Sequence, residues 1–208
     1  MLILSFDTCL DKTYITLRKD GSIIDSRIIN SDSENYHSAY LITTIAKVLN
    51  DNGLKPQNLD VISTDVGPGS FTGIRACTVV ARTMAQQLNI KTLGVSSLEI
   101  LSKINPEAVV VLDARKESGY LWDKEIKGAI PLEEIYNTVK GRKIITDDAL
   151  IDKLKEFSDD VISYKDGNYD LGEYLSDITE TKLNEAVNWN DLKPLYIQPP
   201  PVSIKKGN

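Results

Sequence analysis

The sequence predicts an α/β protein, and three observations carry the prediction. The N-terminal region holds three apolar runs parted by short turn signals, two stretches of helical periodicity then alternate with further apolar runs, and a new apolar run opens a second series midway along the chain. LILSFDT (residues 2–8) alternates little and reads as a buried strand. TYITLRKDG (13–21) alternates and ends at Asp20-Gly21, a two-residue hairpin signal, so SIIDSRIIN (22–30) continues an antiparallel meander. A polar stretch with capping candidates Ser31 and Ser33 leads into SAYLITTIAKVLNDNG (38–53). There Leu41, Ile45, Val48 and Leu49 recur at helical spacing and Asn52-Gly53 marks the end. LDVISTDV (59–66) is a fourth strand, GIRACTVVARTMAQQL (73–88) a second helix, and IKTLGV (90–95) a closing strand.

The second series starts with EAVVVLDARK (107–116) and GYLWDK (119–124) as strands. The pattern then weakens to a strand at 125–130, short helices at 132–139 and 148–157, and short strands at 143–146 and 160–164. This reading divides the chain into a regular domain over residues 1–103, a smaller and less regular α/β domain over 104–198, and an extended Pro-rich tail over 199–208. No fixed-period repeat is visible, yet both halves begin with an apolar strand ending in aspartate, Asp7 and Asp113.

Composition narrows the function. The 208 residues are 41% hydrophobic, enough for one fair core or two small ones. The formal charge of -6 argues against a free-standing nucleic-acid binder, which needs a concentrated Lys/Arg surface. No apolar run approaches the roughly 20 residues that span a bilayer, and the start lacks a basic region, so a cytoplasmic protein is expected. Cys9 and Cys77 form no CxxC pair and read as buried small apolar groups, with no zinc ribbon or redox dithiol. Trp122 and Trp189 read as packing residues, since neither sits among interleaved aromatic and basic neighbours.

The most telling stretch is VGPGSFTGIR (66–75), which lies between a strand and a helix. A P-loop is excluded because Gly73 is followed by Ile74-Arg75 where Lys and a hydroxyl residue are needed. A dinucleotide fingerprint is excluded because Gly67, Gly69 and Gly73 have the wrong offsets and Pro68 intervenes. The residues favour a structural turn with Ser70 and Thr72 as helix-cap candidates; an oxyanion held by the loop's N–H groups is the other reading.

FDT, HSAYL, VGPGSFTGIRACTVVARTMA, GVSSLEIL and VLDARK, in this order and at these separations, closely resemble the bacterial TsaB family, also called YeaZ. The likeness is dense over residues 2–116 and thin beyond, where PLYIQ (194–198) is similar to the family's terminal PxYL segment. The resemblance implies an actin-like, sugar-kinase-like duplicated fold. It implies a non-catalytic role in forming threonylcarbamoyladenosine next to the anticodon of ANN-decoding tRNAs. Its partners would be a TsaD-type paralogue that carries the active site and a TsaE-type ATPase, with ATP and metal on those subunits and tRNA reached only through the complex. A homodimer is the expected state of the free chain.

The residues agree with a non-catalytic role. The catalytic paralogue binds metal through two histidines four residues apart, whereas the equivalent segment here, His37-Ser38-Ala39-Tyr40-Leu41, ends in leucine, and His37 is the only histidine. A lone imidazole also removes Ser-His-Asp and Cys-His catalysis. Asp7 matches the strand-end carboxylate that faces magnesium in actin-like ATPases, so it is the one candidate for contact with nucleotide or metal. However, Thr8-Cys9-Leu10 stands where glycine would let phosphate approach, and a hydrogen-bonded structural carboxylate is the competing reading. No catalytic residue, no metal ligand and no tightly bound cofactor are expected. The alternative function is a degenerate enzyme of the same fold, a small kinase or a peptidase-like protein.

A partner surface is expected from helix periodicity. Leu41, Ile45, Val48 and Leu49 form one stripe of the first helix, leaving Tyr36, Tyr40, Thr43 and Lys47 on nearly the opposite side. On the second helix, Ile74, Cys77, Ala81, Met84 and Leu88 form the main stripe, and Ala76, Val79, Val80 and Thr83 a second surface of mostly small side chains. These second faces are the expected contact with a paralogue or a second copy.

Overall fold

Two five-stranded sheets of identical plan make up the protein. The computed structural model describes residues 1–30 and 37–198, with the side chains of 37–39 outside the description. The capping candidates Ser31 and Ser33, the interface candidate Tyr36, the imidazole of His37 and the tail at 199–208 therefore lie outside the described residues.

The first half contains β1 (Leu2–Asp7), β2 (Thr13–Lys19), β3 (Ser22–Ile29), α1 (His37–Asp51), β4 (Val61–Asp65), α2 (Phe71–Leu88), β5 (Lys91–Val95) and α3 (Ser97–Ser102). The second contains β6 (Val109–Asp113), β7 (Ser118–Trp122), β8 (Ile126–Pro131), α4 (Leu132–Val139), β9 (Ile144–Thr146), α5 (Ile151–Lys155), β10 (Val161–Ser163) and α6 (Leu171–Thr181). The sheet orders are β3-β2-β1-β4-β5 and β8-β7-β6-β9-β10. In each, the first three strands form an antiparallel meander and the last two join parallel to the first. Helices follow the third, fourth and fifth strands of both halves. The duplication that sequence periodicity hides is complete in topology, and the second half is less regular only in having short elements, with β9 and β10 of three residues each.

The meander forms as its turn predicts: Asp20 and Gly21 both take positive φ, 48° and 85°, as a two-residue hairpin turn requires. The strands then sort their side chains by parity. In β1, Leu2, Leu4 and Phe6 enter the core beneath α1 and α2, joined by Leu41, Ile45, Val48 and Leu49 of α1 and Ile74, Cys77, Ala81 and Ala85 of α2. In β6, Val109 and Val111 face a core with Leu132, Ile135, Val139 and Leu154 of α4 and α5, while Val110 and Leu112 face the other way. That other side is a central core in which α3 (Leu98, Ile100, Leu101) and α6 (Leu171, Leu175, Ile178) lie between the sheets. The layers are α1/α2, first sheet, α3/α6, second sheet, α4/α5.

Neither helix of the middle layer, α3 or α6, follows from sequence periodicity, and the two are exchanged between the halves. The first half's last helix, α3, packs on β6 and β7, and the second half's last helix, α6, packs across β1 to β5. Arg18 of β2 fixes the second contact, donating to Ser176 Oγ at 2.9 Å and Glu180 Oε2 at 2.9 Å and pairing with Asp177. The chain end returns to the first sheet as well, with Thr92 and Val187 bonded as a bridge and Leu195 N donating to Val66 O at 2.8 Å.

Candidate functional site

The neighbouring parallel strands β1 and β4 end together, which brings Asp7 and Asp65 side by side beneath the N-terminus of α2. Two loops meet there. Cys9, two residues past β1, lies against the glycine loop that follows β4, and the glycines exist for that approach: a Cβ on Gly73 would stand 1.9 Å from Thr8 O, and one on Gly69 2.4 Å from Cys9 O. Three of the loop's N–H groups are turned onto the chain itself. Ser70 N donates to Cys9 O at 2.8 Å, Gly67 N to Asp65 Oδ1 at 2.6 Å, and Gly73 N to Ser70 Oγ at 3.3 Å. Ser70 is thus the N-cap of α2 that the sequence names, and Thr72 lies inside the helix. The close loop contact and the Ser70 cap are what the structural-turn reading of VGPGSFTGIR expects.

Asp7, the nucleotide or metal candidate, is fully buried. Its Oδ1 accepts from the Cys9 N–H at 2.5 Å, and among the described residues no N–H or hydroxyl group donates to its Oδ2. Burial, with the nearby Cys77 sulfur, pushes its carboxyl up to about 8. Asp65 is raised as well, chiefly by burial and then by Asp7, although Ser97 Oγ donates to both of its oxygens at 2.8 and 2.6 Å. Cys9 and Cys77, remote in sequence, are neighbours here and both buried as expected. Burial raises the Cys9 thiol. Cys77 is buried too, but hydrogen bonding from Cys9, Thr64 and Thr8 brings it below the usual thiol value, and the Thr8 N–H points at its sulfur at 3.2 Å. Sequence reasoning treats the two cysteines separately and passes over Asp65. The available signal is that LDVISTDV, like LILSFDT, is an apolar strand with aspartate near its end. Asp113, the counterpart of Asp7 in β6, donates its N–H to Asp147 Oδ2 at 2.7 Å and is only half-buried.

The second candidate surface is the outside of α1 and α2, which pack against each other. The two predicted inner stripes are buried, apart from Met84 and Leu88, which are half-buried. Tyr40, Thr43 and Lys47 on α1 and Val79 and Thr83 on α2 are exposed, whereas Ala76 and Val80 are half-buried and Val80 packs against the first core. Lys47 pairs with Asp51 one turn on. Ile42 is exposed on α1 and escapes the sequence reading because it falls between the two stripes assigned there. At the start of α2 the Arg75 guanidinium lies 3.7 Å from the centre of the exposed Phe71 ring, which neighbours Tyr196.

Comparison with known proteins follows the same lines. The family model described as TsaD, tRNA N6-adenosine threonylcarbamoyltransferase, matches residues 23–150, more than half of the chain. A Bacillus subtilis relative named tRNA threonylcarbamoyladenosine biosynthesis protein TsaB is 35% identical over 102 residues, covering 49% of this chain and 44% of that protein. A relative of the same name from Buchnera aphidicola subsp. Schizaphis graminum is 26% identical over 174 residues, covering 80% of this chain and 79% of that protein. The match thus spans less than half of the Bacillus protein and about four fifths of the Buchnera one. The solved structure of YeaZ from Pseudomonas aeruginosa superposes with a TM-score of 0.70 at 19% identity, over 94% of this chain and 99% of that one, so the two share a fold. By its family model and its TsaB-named relatives, the chain belongs to the TsaD-type family and, within it, to the TsaB (YeaZ) branch.

Proposed function

We propose that this protein is a non-catalytic, cytoplasmic subunit in the biosynthesis of threonylcarbamoyladenosine on tRNA. It binds and supports a TsaD-type paralogue, with a TsaE-type ATPase completing the complex. Nucleotide, catalytic metal and tRNA are handled by or through those partners, and the free chain pairs with a second copy of itself. The observation that carries this reading is the outer face of α1 and α2. There Ile42 (65% exposed), Val79 (62%) and Tyr40 (50%) stand on two adjacent helices, although the chain has a large core in which to bury apolar side chains. Exposed aromatic and aliphatic side chains on two adjoining helices are the composition of an interface region. Thr43, Lys47 and Thr83 are exposed on the same two helices and Ala76 and Val80 are half-buried there, and the proposed surface includes Tyr36, which lies outside the described residues. The three loop N–H groups turned onto the chain, those of Gly67, Ser70 and Gly73, support the non-catalytic half of the proposal.

Gel filtration of the chain with the TsaD-type paralogue tests it. Co-elution is expected, and Val79→Glu and Tyr40→Asp should each abolish it while leaving the monomer's melting temperature nearly unchanged, because both side chains stand outside the core. Val79 is a cleaner probe than Val80, whose side chain also packs inward. Wild-type co-elution retained by both variants removes α1 and α2 from the contact. Steady-state ATP or peptide turnover by the isolated chain overturns the non-catalytic reading.

A further inference from the structure

The fold joins three side chains that no part of the subunit role uses. Asp7 at the end of β1, Cys9 beyond it and Cys77 on the inner face of α2 bring a carboxylate oxygen and two sulfurs all within 4.8 Å of one another, every one buried. Three features of the cluster call for a cation. Asp7 Oδ2 is fully buried and, among the described residues, no N–H or hydroxyl group donates to it, although its sister oxygen accepts from Cys9 N. The Asp65 carboxyl is buried next to it, and among the described residues no ion pair reaches either aspartate, so a cation would take the place of the proton that two adjoining buried carboxyls otherwise share. Finally, the donors are soft: two thiols with one carboxylate suit zinc, whereas magnesium takes oxygen ligands and keeps much of its water. A disulfide between Cys9 and Cys77 would leave Asp7 Oδ2 and the adjoining Asp65 carboxyl as they are.

We propose that Asp7, Cys9 and Cys77 form a structural zinc site that pins the loop after β1 to α2. On binding, each thiol and the Asp7 carboxyl, where protonated, give their protons to solvent, and the ion takes Oδ2 and the two sulfurs. With Zn–S about 2.3 Å and Zn–O about 2.0 Å, tetrahedral ligands lie about 3.5 Å apart, so shifts of about 1 Å or less close the site. The Thr8 N–H on Cys77 Sγ persists as the outer hydrogen bond that orients the thiolate. A fourth small ligand such as water completes the shell. The sequence reading expects no metal because the cysteines form no short motif, and this proposal revises that expectation. It rests on the fold alone and stands or falls separately from the partner role, since none of the three residues lies on the outer face of α1 or α2.

The test uses the full chain, denatured with chelator and reductant and refolded without metal, with equimolar Zn²⁺, or with Mg²⁺. One zinc per chain retained after desalting and a rise in melting temperature that magnesium does not produce are expected. Refolding with Co²⁺ should give a thiolate-to-cobalt charge-transfer band. Cys77→Ser and Cys9→Ser should lose both the band and the retained zinc, and Asp7→Asn should bind zinc at least tenfold more weakly, with far-UV circular dichroism checking that each variant folds. The wild type is decisive without any variant: a reduced, folded protein that retains no zinc and melts at the same temperature with and without it overturns the proposal. Retention unchanged in a Cys9→Ser/Cys77→Ser double variant overturns it too, by placing the ion elsewhere.

Discussion

A single methyl group at Gly73 would separate two loops that the fold presses together. The added Cβ meets a backbone carbonyl, Thr8 O, and backbone on both sides is held by hydrogen bonds, so neither partner gives way easily. Gly73→Ala is therefore expected to cost about 3 kcal/mol or more in chemical denaturation, in the range of severe overpacking. A cost below about 1 kcal/mol would mean the loops are not in contact in solution. Legibility at this scale depends on whether a residue's role is local. Ser70 is readable as a cap because a cap serves the backbone three residues on. Asp7, Cys9, Asp65 and Cys77 are not readable as a cluster, because β1, β4 and α2 bring them together only through sheet pairing and helix packing.

Long periodic elements are legible and short buried ones are not. α1 and α2 each carry a full apolar stripe, and both appear close to where periodicity puts them. α6 escapes although Asp170 caps it, accepting from Gly172 N and Glu173 N, and Leu171, Leu175 and Ile178 line one face. Glycine, threonine and acidic residues dilute that pattern, and packing against the first sheet supplies the helix with what local propensity lacks. Leu175→Ala tests how much. Truncating this fully buried side chain should cost about 2–5 kcal/mol. Because α6 covers the sheet of the other half, it should lower the unfolding midpoint of the whole chain in one transition. Separate transitions, with only one shifted, would show that the halves unfold independently.

At the scale of the molecule, the two sheets repeat one plan while the helices between them are traded across the boundary. The division at residues 103 and 104 separates the sheets cleanly but cuts α3 and α6 away from the strands they cover. A fragment of residues 1–103 would expose the face of β1 to β5 on which α6 lies and leave Arg18 without Ser176, Asp177 and Glu180. It is expected to lack a cooperative melting transition in circular dichroism, whereas a sharp transition would make the first half self-sufficient. The crossed helices also bear on synthesis. Emerging from the ribosome, the first sheet can pair its strands and take on α1 and α2, but its other face stays bare until residues 171–181 and the segment through Leu195 have been translated. Until then Arg18 and the hydroxyl of Ser63 lack the partners that α6 brings, and premature termination or a stalled ribosome would release a product that chaperones and proteases recognise instead of a working half.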